Sequence, residues 1–192
     1  MMTIYRTDDQ VIHEEKKIGD GVWIQMINPT HEECEEIAEQ LMVDIEDIKA
    51  ALDEEESSRI ELQDGYTLIL VDIPTIEIRH EKRVYTTVPL GIILTQDVIV
   101  TVCTEDTMIL QTFIHNRVKE FSTKKKLRFV YQILFRATAN YQANLRSIDK
   151  RRTEIEGRVG ENTDDSDLID LHELESTLVY FATSLRANGV VL

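Results

Sequence analysis

Cysteine is scarce in this chain: Cys34 and Cys103 are the only two in 192 residues, and they lie far apart. That excludes a disulfide framework and makes a reducing compartment the default. Glycine (seven) and proline (three) are also few, and no proline follows Pro89. Basic residues are in deficit, with 21 Lys and Arg against 36 Asp and Glu, for a formal net charge of -15. Nucleic acid is thereby excluded as the main partner, because phosphate contacts need a cationic footprint. Long apolar runs are missing as well. The best candidate, "TTVPLGIILTQDVIVTV", is broken by Pro89, Gln96 and Asp97, short of the ~18–20 residues a membrane span needs. The polar start "MMTIYRTDDQ" is no signal peptide. There is no GxSxG, no phosphate loop, no CxxC and no HExxH, so no catalytic residue is assigned. The chain reads as soluble and non-enzymatic.

What is present supports a substantial core, since 42% of the residues are hydrophobic. "VIHEEKKI" and "VWIQMI" read as short strands. "NPTHEECEEIAEQL" reads as a helix capped by Thr30, with Glu33 completing a capping box and Cys34, Ile37, Ala38 and Leu41 on its buried face. A second short helix starts at Asp44, with Ile45, Ile48 and Leu52 inward and Asp47 at the favourable end of the dipole. "SRIELQ", Asp64-Gly65 and "YTLILVDI" give a hairpin signal. "TIEIRH" and "RVYTTVPLGIIL" read as another strand pair, and Gln96-Asp97 turns the chain into "VIVTV". Near-continuous apolar strands imply cover on both faces of a mixed sheet. A helix from Thr107 to about Lys119 supplies part of it.

From about Ser122 the pattern is helical. Leu127, Val130, Leu134, Ala137, Tyr141, Leu145 and Ile148 form a near-heptad seam, extended by Ile155 and Val159. About 36 residues at ~1.5 Å rise span roughly 54 Å. "GRVGENTDDSD" breaks the helix, with a fresh cap near Thr163 or Asp164. A second helix then carries Leu168, Leu171, Leu174, Leu178, Phe181 and Leu185. The pair makes an antiparallel hairpin projecting as an arm. The predicted fold is α/β: an α/β/α sandwich with a mixed sheet over residues 1–121, followed by a long helical hairpin over 122–192.

Metal-ligand chemistry is the remaining question. His31 and Cys34 share a helix, but Cys34 lies on its apolar stripe and a zinc site wants three or four ligands. Carboxylates gather in three places: Glu32 to Glu36; Asp44, Glu46, Asp47 and Asp53 to Glu56; and the hairpin's far end, including Glu154, Glu156, Glu161, Asp164, Asp165, Asp167 and Asp170. Oxygen-rich surfaces of this kind suit hydrated Mg²⁺, which uses few protein carboxylates, although solvated helix faces look the same. The basic patch "KKKLR" (Lys124 to Arg128) reads as charge balance, or as a contact with another subunit or anionic headgroups.

Several stretches together resemble the cytoplasmic domain of CorA-type magnesium transporters. They are the Trp23-Ile24 strand, the Pro29-Thr30 helix entry, "LDEEESSRIE" from Leu52 to Glu61, "YTTVPLGIILTQDVIVTV" from Tyr85 to Val102, and "LESTLVYFATSLRANGVVL". The resemblance implies a soluble domain at the cytoplasmic face of the cell membrane. In the family a long stalk helix and two spans with a Gly-Met-Asn signature come next, so the chain would stop short of them after Asn188-Gly189. It implies a homo-pentamer in the intact protein, conducting Mg²⁺ and often Co²⁺ or Ni²⁺, with membrane contact only through those spans. It also implies regulatory Mg²⁺ bridging carboxylates of adjacent subunits. Lys49 and Ala50 stand where some members carry sensing acids. The acids at hand, Asp47, Asp53 and Glu54, are the candidate regulatory metal ligands. Another family acid falls near Phe135. A zinc-transporting relative of the same architecture and a helical-arm adaptor are the alternative readings.

Overall fold

The computed structural model describes residues 1–79, 82–159 and 165–191. Seven strands form one sheet: β1 (Met2–Asp8), β2 (Val11–Glu15), β3 (Trp23–Ile27), β4 (Arg59–Gln63), β5 (Tyr66–Arg79), β6 (Lys82–Thr95) and β7 (Ile99–Cys103), in the order β2-β1-β3-β7-β6-β5-β4. β3 and β7 run parallel, and every other neighbouring pair is antiparallel. Helices α1 (His31–Leu41) and α2 (Ile45–Lys49), with the 3₁₀ turn Ala50–Leu52, connect β3 to β4; α3 (Met108–Ile114), α4 (Lys126–Val159) and α5 (Asp165–Asn188) follow β7.

Strand alternation builds the two cores of the α/β/α sandwich. Ile69, Val71, Leu90, Ile92 and Ile99 pack on one face with Ile109, Phe113, Phe129 and Ile133. Leu68, Leu70, Ile93, Val100 and Val102 pack on the other with Cys34, Ile37, Ile48 and Ala51. Trp23 is fully buried, and its indole N–H donates to Thr101 Oγ1 at 2.8 Å. The rings of Phe121 and Phe129 meet it edge-on, with centroids 6.4 and 5.0 Å away. The start of α4 is fastened nearby: the Thr123 N–H donates to Thr7 Oγ1 at 2.9 Å, and its O–H donates to the Gly21 carbonyl at 2.5 Å. Gly21 has φ +72°, and a Cβ there would meet Lys124 Cγ at 2.6 Å, so backbone and space both demand glycine.

The sequence reading needs five corrections. β1 is an additional strand, joined to β2 by Asp9 (φ 49°) and Gln10 (φ 67°) between paired Asp8 and Val11; this two-residue turn is left-handed at both positions without any glycine. α3 stops at Ile114, short of Lys119, and Asn116 then turns the chain at φ 54°. β5 is one 14-residue strand that runs through Pro74 and joins two stretches read as separate strands, while β6 runs through Pro89 as its sequence indicates. Both prolines lie outside the reach of β4 and β7, where a missing N–H breaks no ladder. On α4 the inward residues begin with Phe129, Val130 and Ile133, while Leu127 is 77% exposed, because the aromatic cluster claims Phe129.

The fifth correction concerns the hairpin. α4 and α5 do pack together, but the pair does not stand free: α5 lies against both β5 and β6. Leu174 and Phe181 face inward as read, with Phe181 edge-on to Tyr141 at 5.0 Å. Leu168, Leu178 and Leu185 do not; their places on the buried face are taken by Thr177, Ser184 and Asn188. Thr177 donates to the Tyr85 carbonyl at 3.2 Å, and Ser184 shares a 3.1 Å hydrogen bond with Thr87. Near the far end Asp170 accepts from Lys82 at 2.6 Å and from Arg151 at 2.9 Å. The proposed cap at Thr163 or Asp164, and the acids Glu161 and Asp164, lie outside the described residues.

A Cβ on Gly91 would sit 2.8 Å from the Cβ of Ala51 in the 3₁₀ turn. Gly91→Ala is therefore expected to cost about 1–3 kcal/mol through overpacking, read as a lower urea midpoint; an unchanged midpoint would contradict that close packing. Asp72 carries a carboxyl whose pKa burial raises, partly offset by a hydrogen bond with Ser184. Its folded pKa lies above its unfolded one, so the unfolded state loses the proton first as pH rises. The penalty is absent below the ordinary Asp range and full above the folded pKa. Asp72→Asn should raise the urea midpoint at neutral pH and leave it nearly unchanged at about pH 3; an equal gain at both would contradict the burial argument.

Candidate functional site

The acidic segment around α2 is built by turn chemistry. Asp44 caps α2, its Oδ1 accepting from the Glu46 N–H at 2.9 Å. Tyr66, at the start of β5, accepts from the Asp44 N–H at 3.2 Å and donates its hydroxyl to Asp47 Oδ2 at 2.5 Å. Burial, and then the hydrogen bond to Asp47, raise the Tyr66 pKa, so the phenol stays a donor. Asp47 is thus half-buried and held by its own chain. Asp53 closes the 3₁₀ turn, and its Oδ1 accepts from the Glu55 N–H at 2.9 Å. Glu54 points to solvent, and among the described residues neither it nor Asp53 has an ion-pair partner. Glu56 and Glu61 are different: both grip Arg59, each at 2.5 Å.

Among the described residues, no group of three or more His, Cys, Asp or Glu side chains is arranged to hold a metal ion. The candidates Asp47, Asp53 and Glu54 therefore form no closed site within one chain. Lys49 is paired with Glu46 at 3.1 Å, and Ala50 is buried against the sheet. Phe135 is 64% exposed and stacks on Tyr131 at 6.4 Å.

The other motifs have local uses. The capping box at α1 is present, with the Thr30 N–H donating to Glu33 Oε2 at 3.0 Å and the Glu33 N–H to Thr30 Oγ1 at 3.3 Å. His31 pairs with Glu35 at 3.1 Å on the solvent side, while Cys34 is buried with its thiol pKa raised by desolvation. The two do not form a metal pair. Burial pushes the Cys103 thiol up to about 11, so neither cysteine is primed as a thiolate. Within the basic patch, Lys126 donates to the carbonyls of Thr95 and Gln96, and Arg128 pairs with Glu120. Two of the patch's four charges, Lys126 and Arg128, thus help to seat α4.

Sequence reasoning missed the polar junction where α5 ends. Asn188, Ser58 and Asp72 meet there through one buried and two partly buried hydrogen bonds. The available signal was the seven-residue spacing of Asp170, Thr177 and Ser184, which marks a polar face alongside the leucines.

Residues 19–192 match the family described as "CorA-like Mg2+ transporter protein". The chain is 26% identical over 193 residues to the cobalt/magnesium transport protein CorA of Methanocaldococcus jannaschii, covering 96% of this chain and 57% of that relative. It therefore spans little more than half the relative's length. The solved soluble domain of CorA from the same organism shares its fold, with TM-score 0.82 and 23% identity over 98% of this chain and 76% of that one. The ZntB cytoplasmic domain from Vibrio parahaemolyticus does so more distantly, with TM-score 0.68 and 13% identity over 96% of this chain and 74% of that one. No described helix is long and apolar enough to cross a membrane. With nearly the whole sequence matched and the mixed sheet and helical hairpin in common, the chain belongs to the CorA-like Mg²⁺ transporter family, a family of transporters rather than enzymes.

Proposed function

We propose that this chain is the cytoplasmic regulatory domain of a CorA-like divalent-cation channel. In that reading residues 1–121 form the α/β/α body, and 122–192 form an arm leading to a stalk and membrane spans. The intact protein would be a homo-pentamer at the cell membrane carrying Mg²⁺, with Co²⁺ and Ni²⁺ as further cargo. The observation that carries the reading is family membership joined to an acidic rim that its own chain leaves open at Asp53 and Glu54.

The mechanism is electrostatic. Copies carrying a net charge of -15 repel one another. A hydrated Mg²⁺ needs only one or two protein carboxylates, so an ion held between Asp53 or Glu54 of one subunit and a neighbour's surface offsets that repulsion. Bound Mg²⁺ then shifts the population toward a closed assembly, and its loss lets the subunits loosen. Asp47, tied to Tyr66, would take part only after releasing that bond. The outward side chains of Leu168, Leu178 and Leu185 agree with a further helix lying against α5 in the intact protein.

Sedimentation of this chain with and without millimolar Mg²⁺ tests the reading. The expected outcome is a rise in mass with Mg²⁺ that Asp53→Asn/Glu54→Gln abolishes. The same mass under both conditions contradicts bridging through these residues. Association with Zn²⁺ but not Mg²⁺ would favour the zinc-handling variant.

A further inference from the structure

Asn188 is the last residue of α5 and is 7% exposed. Its side-chain amide acts as a neighbouring strand would. Nδ2 donates to the Asp72 carbonyl at 2.8 Å, and Oδ1 accepts from the Asp72 N–H at 2.9 Å. Asp72 lies two positions past Leu70, where pairing with β4 begins, so the amide takes over where the strand leaves off. Oδ1 also accepts from the buried Ser58 hydroxyl at 2.9 Å. Tyr141 of α4 donates to the same Asp72 carbonyl at 3.0 Å. One side chain thus joins the end of α5, the open flank of β5 and the residue that precedes β4.

Ser58 closes the acidic loop, whose shape is set by carboxylates bonded to backbone. Asp53 Oδ1 accepts from the Glu55 N–H at 2.9 Å, and Glu56 Oε1 accepts from the Ser57 N–H at 3.1 Å. Any change that draws these carboxylates away reshapes the loop beside Ser58. On the other side, the end of α5 has a limited apolar hold: Val190 is exposed and Leu185 partly so, leaving Val191 against the first core. Apart from Val191, its inward contacts are hydrogen bonds, which water can replace locally without opening the sheet.

We propose that Asn188 is a latch that makes the acidic loop 53–58 and the C-terminal turn of α5 one cooperative unit. Its use in cation regulation rests on the function proposed above; the coupling itself does not. Removing the Ser58 hydroxyl takes away a bond that α5 receives only through Asn188. A loosening that appears in α5 after that change must therefore travel through the latch.

Amide hydrogen exchange on the 192-residue chain without added metal tests the coupling. The Gly189, Val190 and Val191 N–H groups, bonded to the Leu185, Ala187 and Asn188 carbonyls, are the probes at the helix end. Ser58→Ala should speed their exchange about tenfold. Asn188→Ala should speed exchange in both the loop and the helix end, and the double variant should go no further than Asn188→Ala alone. Unchanged protection in β7 verifies that each variant is folded, and Thr183→Ala, on the exposed side of α5, should change nothing at the loop. The latch is overturned if Ser58→Ala leaves the α5 probes unchanged, or if the two substitutions act additively. A parallel series with Mg²⁺ addresses the regulatory reading separately. Loop amides that ignore Mg²⁺ count against the proposed cation site, while the metal-free series decides the latch.

Discussion

Two long strands set the terms for the rest of the molecule. β5 and β6 pair at every position from Tyr66 with Thr95 to Arg79 with Lys82. β4 reaches β5 only as far as Leu70, and β7 reaches β6 only as far as Leu90. On one side of that limit the pair is the middle of a covered sheet. On the other it is a two-stranded ribbon, which is marginal in water without further support. The helical hairpin supplies that support and takes its position from the ribbon. Tyr85 joins the cluster of Tyr141, Ile148, Ile155, Leu174 and Phe181, so ribbon and hairpin share one small core.

The manner of that docking matters as much as the fact of it. The body is held by two apolar cores and an aromatic knot around Trp23, where any shift loses packing over many contacts. α5 is held instead by Leu174 and Phe181, with hydrogen bonds from Thr177, Ser184 and Asn188. Such contacts fix register, yet each is worth little net energy when water stands ready to replace it. α5 is thus placed on the body largely by directional contacts, the Asp170 pairs with Lys82 and Arg151 among them.

Much of this was legible in the sequence because local chemistry determined it. The Thr30–Glu33 capping box, the Asp44 cap, the Asp64-Gly65 hairpin and the turn at Gln96-Asp97 all rest on short-range bonds. The misses were decided by tertiary context. Asp9 and Gln10 adopt left-handed backbone without the glycine that signals it. Pro74 sits inside a strand because that stretch lacks an outer neighbour. Leu127 lost its expected place to Phe129, whose ring completes the cluster around Trp23. On α5 Leu174 and Phe181 point inward as their spacing indicates, but Leu168, Leu178 and Leu185 do not, since the ribbon offers carbonyls and hydroxyls to bond. The acidic segment was visible as a cluster of charge. That Tyr66 would hold Asp47 and that Ser58 would reach Asn188 depended on pairings across 19 and 130 residues, which no local pattern carries.

The chain belongs to a family of transporters, and the function proposed above divides the labour among its parts: a surface of open carboxylates, a sandwich with two cores and a helix docked on the ribbon. Everything in that account depends on the hairpin lying along the ribbon rather than standing away from it. Both native cysteines are buried, so spin labels at Ile78→Cys and Glu173→Cys report on the ribbon and on α5 alone. A single narrow distance distribution between them is the predicted result. A broad distribution would contradict the account, since it would mean that the arm swings free of the strands.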